Sequence, residues 1–300
     1  MVVHLSELHN KCYNQLESSQ HHFVDDISVY SGTWHNHLGH LERFLQQIRQ
    51  SGFTLNLRKC SFALSEVLFV GQIIGYGLRR ADPDKAAAVK NMAAPINKKQ
   101  VRQVLGFFSY FREFIPDFAR QAYRLTELTK KGYPDKVVWG TREQETSERL
   151  KALLINAAST PLSIIDCTRP FTVCVDGSDY AVAAAVTQQD ENNHAKPVAF
   201  ASVTLTPTQC KWATVKKEVY AATWALQKFH RWLFWCPITV VSDHNPLTYL
   251  TQASPCSAKL MRWALSLSEF NVTFKFKKGK SNTAADCLSH IGPHPTPPTE

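Results

Sequence analysis

No two of the eight cysteines form a C-x-x-C pair. They stand singly at Cys12, Cys60, Cys167, Cys174, Cys210, Cys236, Cys256 and Cys287, which argues against a zinc ribbon or a dithiol redox motif. No apolar run reaches the length a membrane-spanning helix needs, and Met1 is followed by no basic-then-apolar leader. Acidic residues are also in short supply, 25 Asp and Glu against 34 Lys and Arg, a formal charge of +9. An excess of positive charge with no lipid anchor beside it points to an anionic partner, nucleic acid before membrane. No internal repeat is found. The expectation is a protein that is not secreted, keeps its thiols reduced and works in the cytoplasm.

What is present is globular material: 44% apolar residues and seven Trp in 300 residues, more than one compact core usually holds. Residues 1–22 are polar and give no clear period, with one helix as the expectation. Phe23-Val24-Asp25-Asp26-Ile27-Ser28-Val29-Tyr30 puts two carboxylates between β-prone stretches and reads as a hairpin with acids at its tip. Leu38, Leu41, Leu45 and Ile48 then follow helical spacing, with Gly52 as the stop. Residues 53–78 alternate in short β-like pieces. From Asp82 to about Lys131 the pattern is helical and basic, with Val101, Val104, Leu105 and Phe108 on one face and Lys98, Lys99, Arg102 and Arg112 on the rest. A connector around Trp139 leads to a helix carrying Leu150, Leu153 and Leu154.

Beyond Pro161 and Pro170, three strands are expected at Phe171–Val175, Ala181–Gln188 and Pro197–Leu205. One long helix should open at Thr206-Pro207, with a stripe of Trp212, Val215, Val219, Ala222, Leu226, Phe229 and Leu233. A strand (Ile238–Ser242), a helical stretch through Trp263, a strand (Val272–Phe276) and a short last helix complete a β-β-β-α-β-α-β-α unit. Single acids occupy telling places in it. Asp176 ends the first strand, Glu218 lies in the long helix, Asp243 ends the fourth strand and Asp286 sits in the last helix. Each is flanked by small or apolar residues, which is unlike a solvated surface acid. Converging carboxylates repel and keep protons unless a cation offsets them. Mg²⁺ takes such hard oxygen ligands, and a pair of ions can serve both the attacking and the leaving oxygen of a phosphodiester.

Asp176-Gly177-Ser178-Asp179-Tyr180, Lys217-Glu218, Ser242-Asp243-His244-Asn245-Pro246-Leu247 and Asn282-Thr283-Ala284-Ala285-Asp286-Cys287-Leu288-Ser289 resemble, in order, the four blocks of the ribonuclease H of gypsy-like LTR retrotransposons. Gly177 stands where Ala is commoner. Upstream, Phe23-Val24-Asp25-Asp26 resembles the reverse transcriptase palm signature, and Phe69-Val70-Gly71-Gln72-Ile73-Ile74 the primer-gripping hairpin. Val104 to Arg112 resembles the thumb. The resemblance covers residues 23–291. It implies a multidomain α+β and α/β chain: a partial palm (1–80), a helical thumb (81–131), a connector (132–169) and a ribonuclease H-like domain (170–291). That last domain carries a five-stranded mixed sheet flanked by helices, and residues 292–300 form a disordered tail.

The resemblance further implies that Asp176, Glu218, Asp243 and Asp286 bind two Mg²⁺ or Mn²⁺ and cut the RNA of an RNA–DNA hybrid, told from DNA by its 2′-hydroxyls. Template–primer duplex, the rest of a reverse transcriptase and an integrase of the same polyprotein are the other implied partners. Asp25 and Asp26 make an incomplete polymerase site, because residues 1–24 hold no further Asp. RNA-directed DNA polymerase activity belongs to the family but is expected to be absent from this chain. Near Glu218, Lys211, Lys216 and Lys217 are expected to meet phosphates, as are Lys275, Lys277, Lys278 and Lys280 on the final strand and turn, and the thumb's Lys98, Lys99 and Arg102. Family members elsewhere carry a mobile His near the last acid; His244 belongs to the turn block, and His290 reads as a surface residue. His35, His37 and His40 lack any Cys or acid at ligand spacing and read as a helix entry. Two rival readings are a non-catalytic nucleic-acid-binding remnant of a retroelement and an integrase or resolvase. The intact acid set disfavours the first, and the palm-then-thumb order the second.

Overall fold

A computed structural model describes residues 2–5, 20–23, 26–243 and 258–276, with the backbone alone for 2–5, 20–23, 26 and 258. The molecule divides into two compact units, residues 1–85 with 158–161, and residues 86–157 with 162–300. Among the described residues no helix is long and apolar enough to cross a membrane.

In the first unit, β1 (Val2–Leu5), β2 (Gln20–Phe23), β3 (Asp26–Tyr30) and β4 (Ser61–Leu64) form a sheet ordered β2-β3-β1-β4. The expected hairpin strands are β2 and β3, paired antiparallel with Phe23 opposite Asp26. The helix expected in residues 1–22 is corrected in part. Val2–Leu5 is a strand antiparallel to β3, because β-branched Val-Val suits a pleated ladder better than a helix.

Helix α1 (Trp34–Gln50) is capped by the Thr33 side chain. Its buried face is His37, Phe44 and Ile48, of which Phe44 and Ile48 pack with Ile27 and Val29 of the sheet. Leu38 and Leu45, expected inside, are 48% and 40% exposed. The stripe is rotated because Phe44 offers more apolar area than either leucine.

Next come β5 (Glu66–Phe69), β6 (Gln72–Gly75) and β7 (Leu78–Ala81), an antiparallel meander. Its two-residue turns, Val70-Gly71 and Tyr76-Gly77, have positive φ at both positions, the conformation that matches strand twist.

The unit boundary falls within α2 (Pro83–Ala88). In the second unit α3 (Lys98–Tyr110), capped by the Asn97 side chain, buries Val101, Val104 and Phe108. The helical pattern expected to about Lys131 continues beyond α3 as separate short pieces, a 3-10 turn at Arg112–Phe114, α4 (Phe118–Gln121) and α5 (Tyr123–Glu127). Pro116 removes a helical donor, and Asp117 adopts a left-handed φ of 47°. Helix α6 (Thr141–Ser159) buries Leu150, Leu153 and Leu154, and the two-residue strand β8 (Leu162–Ser163) follows. The boundary expected at residue 169/170 thus lies inside this unit.

The unit's centre is the expected five-stranded mixed sheet. It comprises β9 (Phe171–Gly177), β10 (Ala181–Gln189), β11 (Ala195–Thr204), β12 (Ile238–Ser242) and β13 (Val272–Phe276), ordered β11-β10-β9-β12-β13. β10 runs antiparallel to both β9 and β11, and β12 runs parallel to both β9 and β13.

Between Thr206 and Leu233, one long helix is corrected to three: α7 (Pro207–Cys210), α8 (Thr214–Lys228) and α9 (His230–Leu233). Thr206 and Gln209 form a reciprocal capping box that satisfies a single turn. Ala213 is then extended at φ −58°, ψ 147°, and the helix restarts beyond it. The apolar stripe survives the break, with Val219, Ala222, Leu226, Phe229 and Leu233 all buried.

Helix α10 (Ala258–Ser268) adds Trp263 and Leu267 to the buried set. Both faces of β10 are covered, by α8 on one and α4 on the other. Its Ala-Val-Ala-Ala-Ala-Val sequence is therefore buried throughout, as a strand packed on both sides requires. The expected last helix and tail lie outside the described residues.

Candidate active site

Because β9 and β12 are parallel neighbours, their C-terminal ends emerge together. Asp176 is the penultimate residue of β9, and Asp243 directly follows β12. Helix α8 lies over β9 and β10 through Ala221, Ala222 and Ala225, all fully buried. Their small side chains let the helix approach closely, and one turn earlier Glu218 reaches the same end of the sheet. Two carboxylates at strand ends and one from the covering helix thus face one another.

Glu218 is 1% exposed. Its Oε1 accepts from the Gly177 amide at 2.9 Å, and its Oε2 accepts from the Ser242 hydroxyl at 2.9 Å. Burial pushes its pKa up to about 7, and the charges of Asp176 and Asp243 push the same way against the Ser242 and Gly177 hydrogen bonds. Gly177 allows this approach. A Cβ there would stand 2.9 Å from Glu218 Oε1.

Asp176 is engaged from outside the ribonuclease H-like blocks. Arg120 of α4 donates from Nη2 to Asp176 Oδ2 at 3.2 Å, while its Nε lies 2.8 Å from Asp117 Oδ2. The segment carrying Arg120 is firmly docked. The Ala119 amide donates to Ser202 Oγ at 2.7 Å, the Arg112 guanidinium donates to the Ser202 carbonyl, and the Tyr123 ring lies 4.9 Å from that of Tyr180. Arg112, expected on the solvent face of a thumb helix, is therefore turned onto β11. Asp117 is 3% exposed, and burial outweighs its arginine partner, raising its pKa to about 7. The Arg120 pKa is raised: burial pulls it down, but Asp117 and Asp176 outweigh that.

The other candidate residues divide by environment. Lys217 is corrected as a phosphate-facing residue. It is 3% exposed, and its Nζ donates to Asp179 at 3.0 Å. Lys216 is half-buried, its ammonium 5.0 Å from the Trp212 ring centre, and Lys259, which the sequence reading passed over, lies 3.9 Å from the same ring. Lys99, Arg102, Lys211 and Lys275 are exposed. Lys98 donates to the Lys130 carbonyl at 2.9 Å, and Arg102 reaches the Thr129 carbonyl at 3.4 Å.

Asp26 opens β3, with its side chain outside the described set. Asp25, His244, Lys277, Lys278, Lys280, Asp286 and His290 lie outside the described residues. His37 and His40 share the Ser31 hydroxyl through their Nδ1 atoms, at 3.3 and 2.7 Å, the hydrogen bonding of a helix entry. Sequence reasoning missed Arg120 and Asp117. The only local signal was their i,i+3 spacing, common to surface ion pairs.

All three described acids of the site are hard oxygen donors, and neither partner of buried Glu218 brings positive charge. That donor set suits a divalent cation such as Mg²⁺. Among the described residues no three His, Cys, Asp or Glu side chains yet close to metal-binding distance of one point. Arg120 occupies one oxygen of Asp176 instead.

A β-β-β-α-β-α-β sheet with acids at adjacent strand ends and on the covering helix defines a ribonuclease H-like domain. The family described as "RNase H-like domain found in reverse transcriptase" matches residues 166–270, and "Reverse transcriptase (RNA-dependent DNA polymerase)" matches residues 1–74. The chain is similar to the retrovirus-related Pol polyprotein from transposon opus of Drosophila melanogaster, 33% identical over 279 residues. It is also similar to that from transposon gypsy of the same fly, 28% identical over 277 residues. These alignments take in 90% and 89% of this chain but 28% and 26% of the relatives, so the chain spans about a quarter of their length. Its fold is similar to that of the foamy viral protease-reverse transcriptase solved in complex with RNA/DNA hybrid. The TM-score is 0.76 at 22% identity, covering 94% of this chain and 38% of that one. Two stretches of the chain, residues 166–270 and 1–74, thus match reverse transcriptase families, and 90% of the chain is similar to part of a retrovirus-related Pol polyprotein.

Proposed function

We propose that the chain hydrolyses the RNA strand of an RNA–DNA hybrid at the site framed by Asp176, Glu218 and Asp243, with Asp286 as the fourth acid. The observation that carries this reading is the meeting of three carboxylates at one end of the sheet, one of them buried with neutral partners only. Asp176, Glu218, Asp243 and Asp286 would hold two Mg²⁺ or Mn²⁺ ions. When bound, such ions activate water and stabilise the leaving oxygen in phosphodiester hydrolysis.

The chain's own residues supply the frame. Gly177 and Ser242 fix both oxygens of Glu218, so the carboxylate needs no reorientation at the moment of reaction. The rigid parallel pair β9–β12 fixes the spacing between Asp176 and Asp243. Exposed Lys99, Arg102, Lys211 and Lys275 offer phosphate contacts that position hybrid or template–primer duplex without reading sequence. In a full polyprotein, the remaining reverse transcriptase region and an integrase are further partners.

The test is cleavage of an RNA–DNA hybrid by the full chain with Mg²⁺ or Mn²⁺, beside Asp243→Asn. That change removes a ligand's charge at constant size. A rate loss of about 10²-fold or more is expected, on the scale of losing one preorganised electrostatic group, with the thermal melt retained. Equal cleavage by both proteins would refute the assignment.

A further inference from the structure

Arg120 lies about fifty residues upstream of the four ribonuclease H-like blocks, yet its guanidinium spans two carboxylates. One is the buried Asp117 at 2.8 Å, and the other is Asp176 at 3.2 Å. We propose that Arg120 is a built-in counter-ion of the site. It offsets the carboxylate repulsion while no divalent cation is bound, and it competes with such a cation for Asp176. The inference rests on the proposed hydrolytic reading and concerns how its site is charged.

Three observations support it. First, Arg120 is held in place rather than swinging freely. The Ala119 amide on Ser202 Oγ, the Arg112 guanidinium on the Ser202 carbonyl and the Tyr123–Tyr180 ring contact anchor both sides of it to the sheet. Second, its anchor is costly to build. Asp117 sits in a left-handed conformation at φ 47°, inside the protein, where an L residue and a carboxylate are each disfavoured. Removing that partner would leave Arg120 with Asp176 alone. Third, Asp176 is the most open of these groups. Its side chain is 38% exposed against 24% for Arg120 and 4% for Asp117, so it can turn away while the Asp117–Arg120 pair stays.

A planar guanidinium suits this role because its fork reaches two carboxylates at once, which a single ammonium does less well. When a cation takes Asp176, the Nη2 contact breaks and the Nε contact to Asp117 remains. The device therefore couples segment 111–128 to the charge state of the site. A cation-filled site releases one of the bonds that hold this segment to the end of β9.

The experiment uses the full chain without nucleic acid and reads Mn²⁺ binding by the loss of the free-ion paramagnetic signal. Wild type is compared with Arg120→Lys and Arg120→Gln, and each is melted in chelator and in saturating Mn²⁺. Removing a positive charge in contact with a ligand oxygen should tighten binding by about fivefold or more in Arg120→Gln, since even a partly screened unit charge at this range is worth that much. Arg120→Lys, which keeps the charge and loses the fork, should fall between. In chelator Arg120→Gln should melt below wild type, and the gap should shrink with Mn²⁺. Equal affinities, or the reverse order, overturn the proposal. So does Mn²⁺ binding by none of the three proteins, an outcome that also removes the hydrolytic reading. Binding by wild type with no change in the variants removes the role of Arg120 alone. If Arg120→Gln does not fold, the Lys variant decides by the same order.

Discussion

The Ser242 hydroxyl donates to Glu218 Oε2 at 2.9 Å, joining the last residue of β12 to the second turn of α8. Ser242 is 1% exposed, as is Glu218, so no water replaces the donor at once if it is lost. Ser242→Ala is expected to destabilise the protein by about 1–3 kcal/mol, the cost of leaving a buried acceptor unsatisfied. It should also lower hybrid cleavage more than it weakens hybrid binding. Chemical denaturation together with kcat and KM on one substrate checks both. A variant with wild-type stability would mean that the hydroxyl is not a significant partner of Glu218.

Gly177→Ala tests the opposite side of the same carboxylate. The added methyl would stand 2.9 Å from Glu218 Oε1, inside normal contact, so the carboxylate must move by a few tenths of an ångström. The Gly177 amide, which donates to that oxygen at 2.9 Å, stays available. The expected result is a modest stability change, about 1 kcal/mol or less in either direction, because loss of glycine's unfolded-state freedom offsets the crowding. A several-fold change in cleavage rate at constant hybrid affinity should accompany it. An unchanged rate would show that the position of Glu218 is not limiting.

The sheet and the acid positions were legible because both follow from short-range pattern. The β9, β10, β11, β12 and β13 segments are apolar runs between turn residues, and Asp176 and Asp243 stand at strand ends. What failed is what depends on partners far along the chain. Leu38 and Leu45 keep a helical period, but which face is buried was decided by Phe44 meeting Ile27 and Val29. Lys217 looked like any basic residue beside a catalytic acid until packing placed its ammonium on Asp179. Arg120 and Asp117 could not be assigned from sequence, because their meaning comes from Ser202 and Asp176, 83 and 56 residues away from the α4 atoms they meet.

The basic residues divide into two kinds, and variants should separate them. Lys99, Lys211 and Lys275 are exposed, so single changes to Glu should weaken hybrid and duplex binding for all sequences alike while leaving the melt within about 0.5 kcal/mol of wild type. Each should also lower the slope of log affinity against log salt, by about one contact's worth. Lys217→Met should do the reverse. Its side chain is 4% exposed and its ammonium is paired with Asp179, so its loss should appear in stability, with the salt slope unchanged. Filter binding over a salt series and thermal melts make the comparison. A salt slope that drops for Lys217→Met and not for the exposed lysines would invert this assignment.

The last prediction concerns pH and Asp117. In the folded chain its pKa is raised to about 7 from an ordinary 3.8, by burial first and by Asp176 third, against Arg120 and the more distant Arg149. The sign follows from proton counting. Between the two values the native state holds a proton that the unfolded state has released, so stability is highest at the acidic end and falls as pH rises. Once pH passes the folded value, the full cost of an ionised Asp117 is present and the slope ends. The contribution is at most about 4 kcal/mol, and partial relaxation around the carboxylate would make it smaller. Asp117→Asn keeps the size of the side chain and cannot ionise, so it should flatten stability across about pH 4 to 7 and leave the variant more stable than wild type near neutrality. The measurement is urea denaturation at a series of pH values, in chelator so that cation binding at the neighbouring acids does not enter. Parallel curves for the two proteins would show that Asp117 stays ionised throughout, with Arg120 as a sufficient partner.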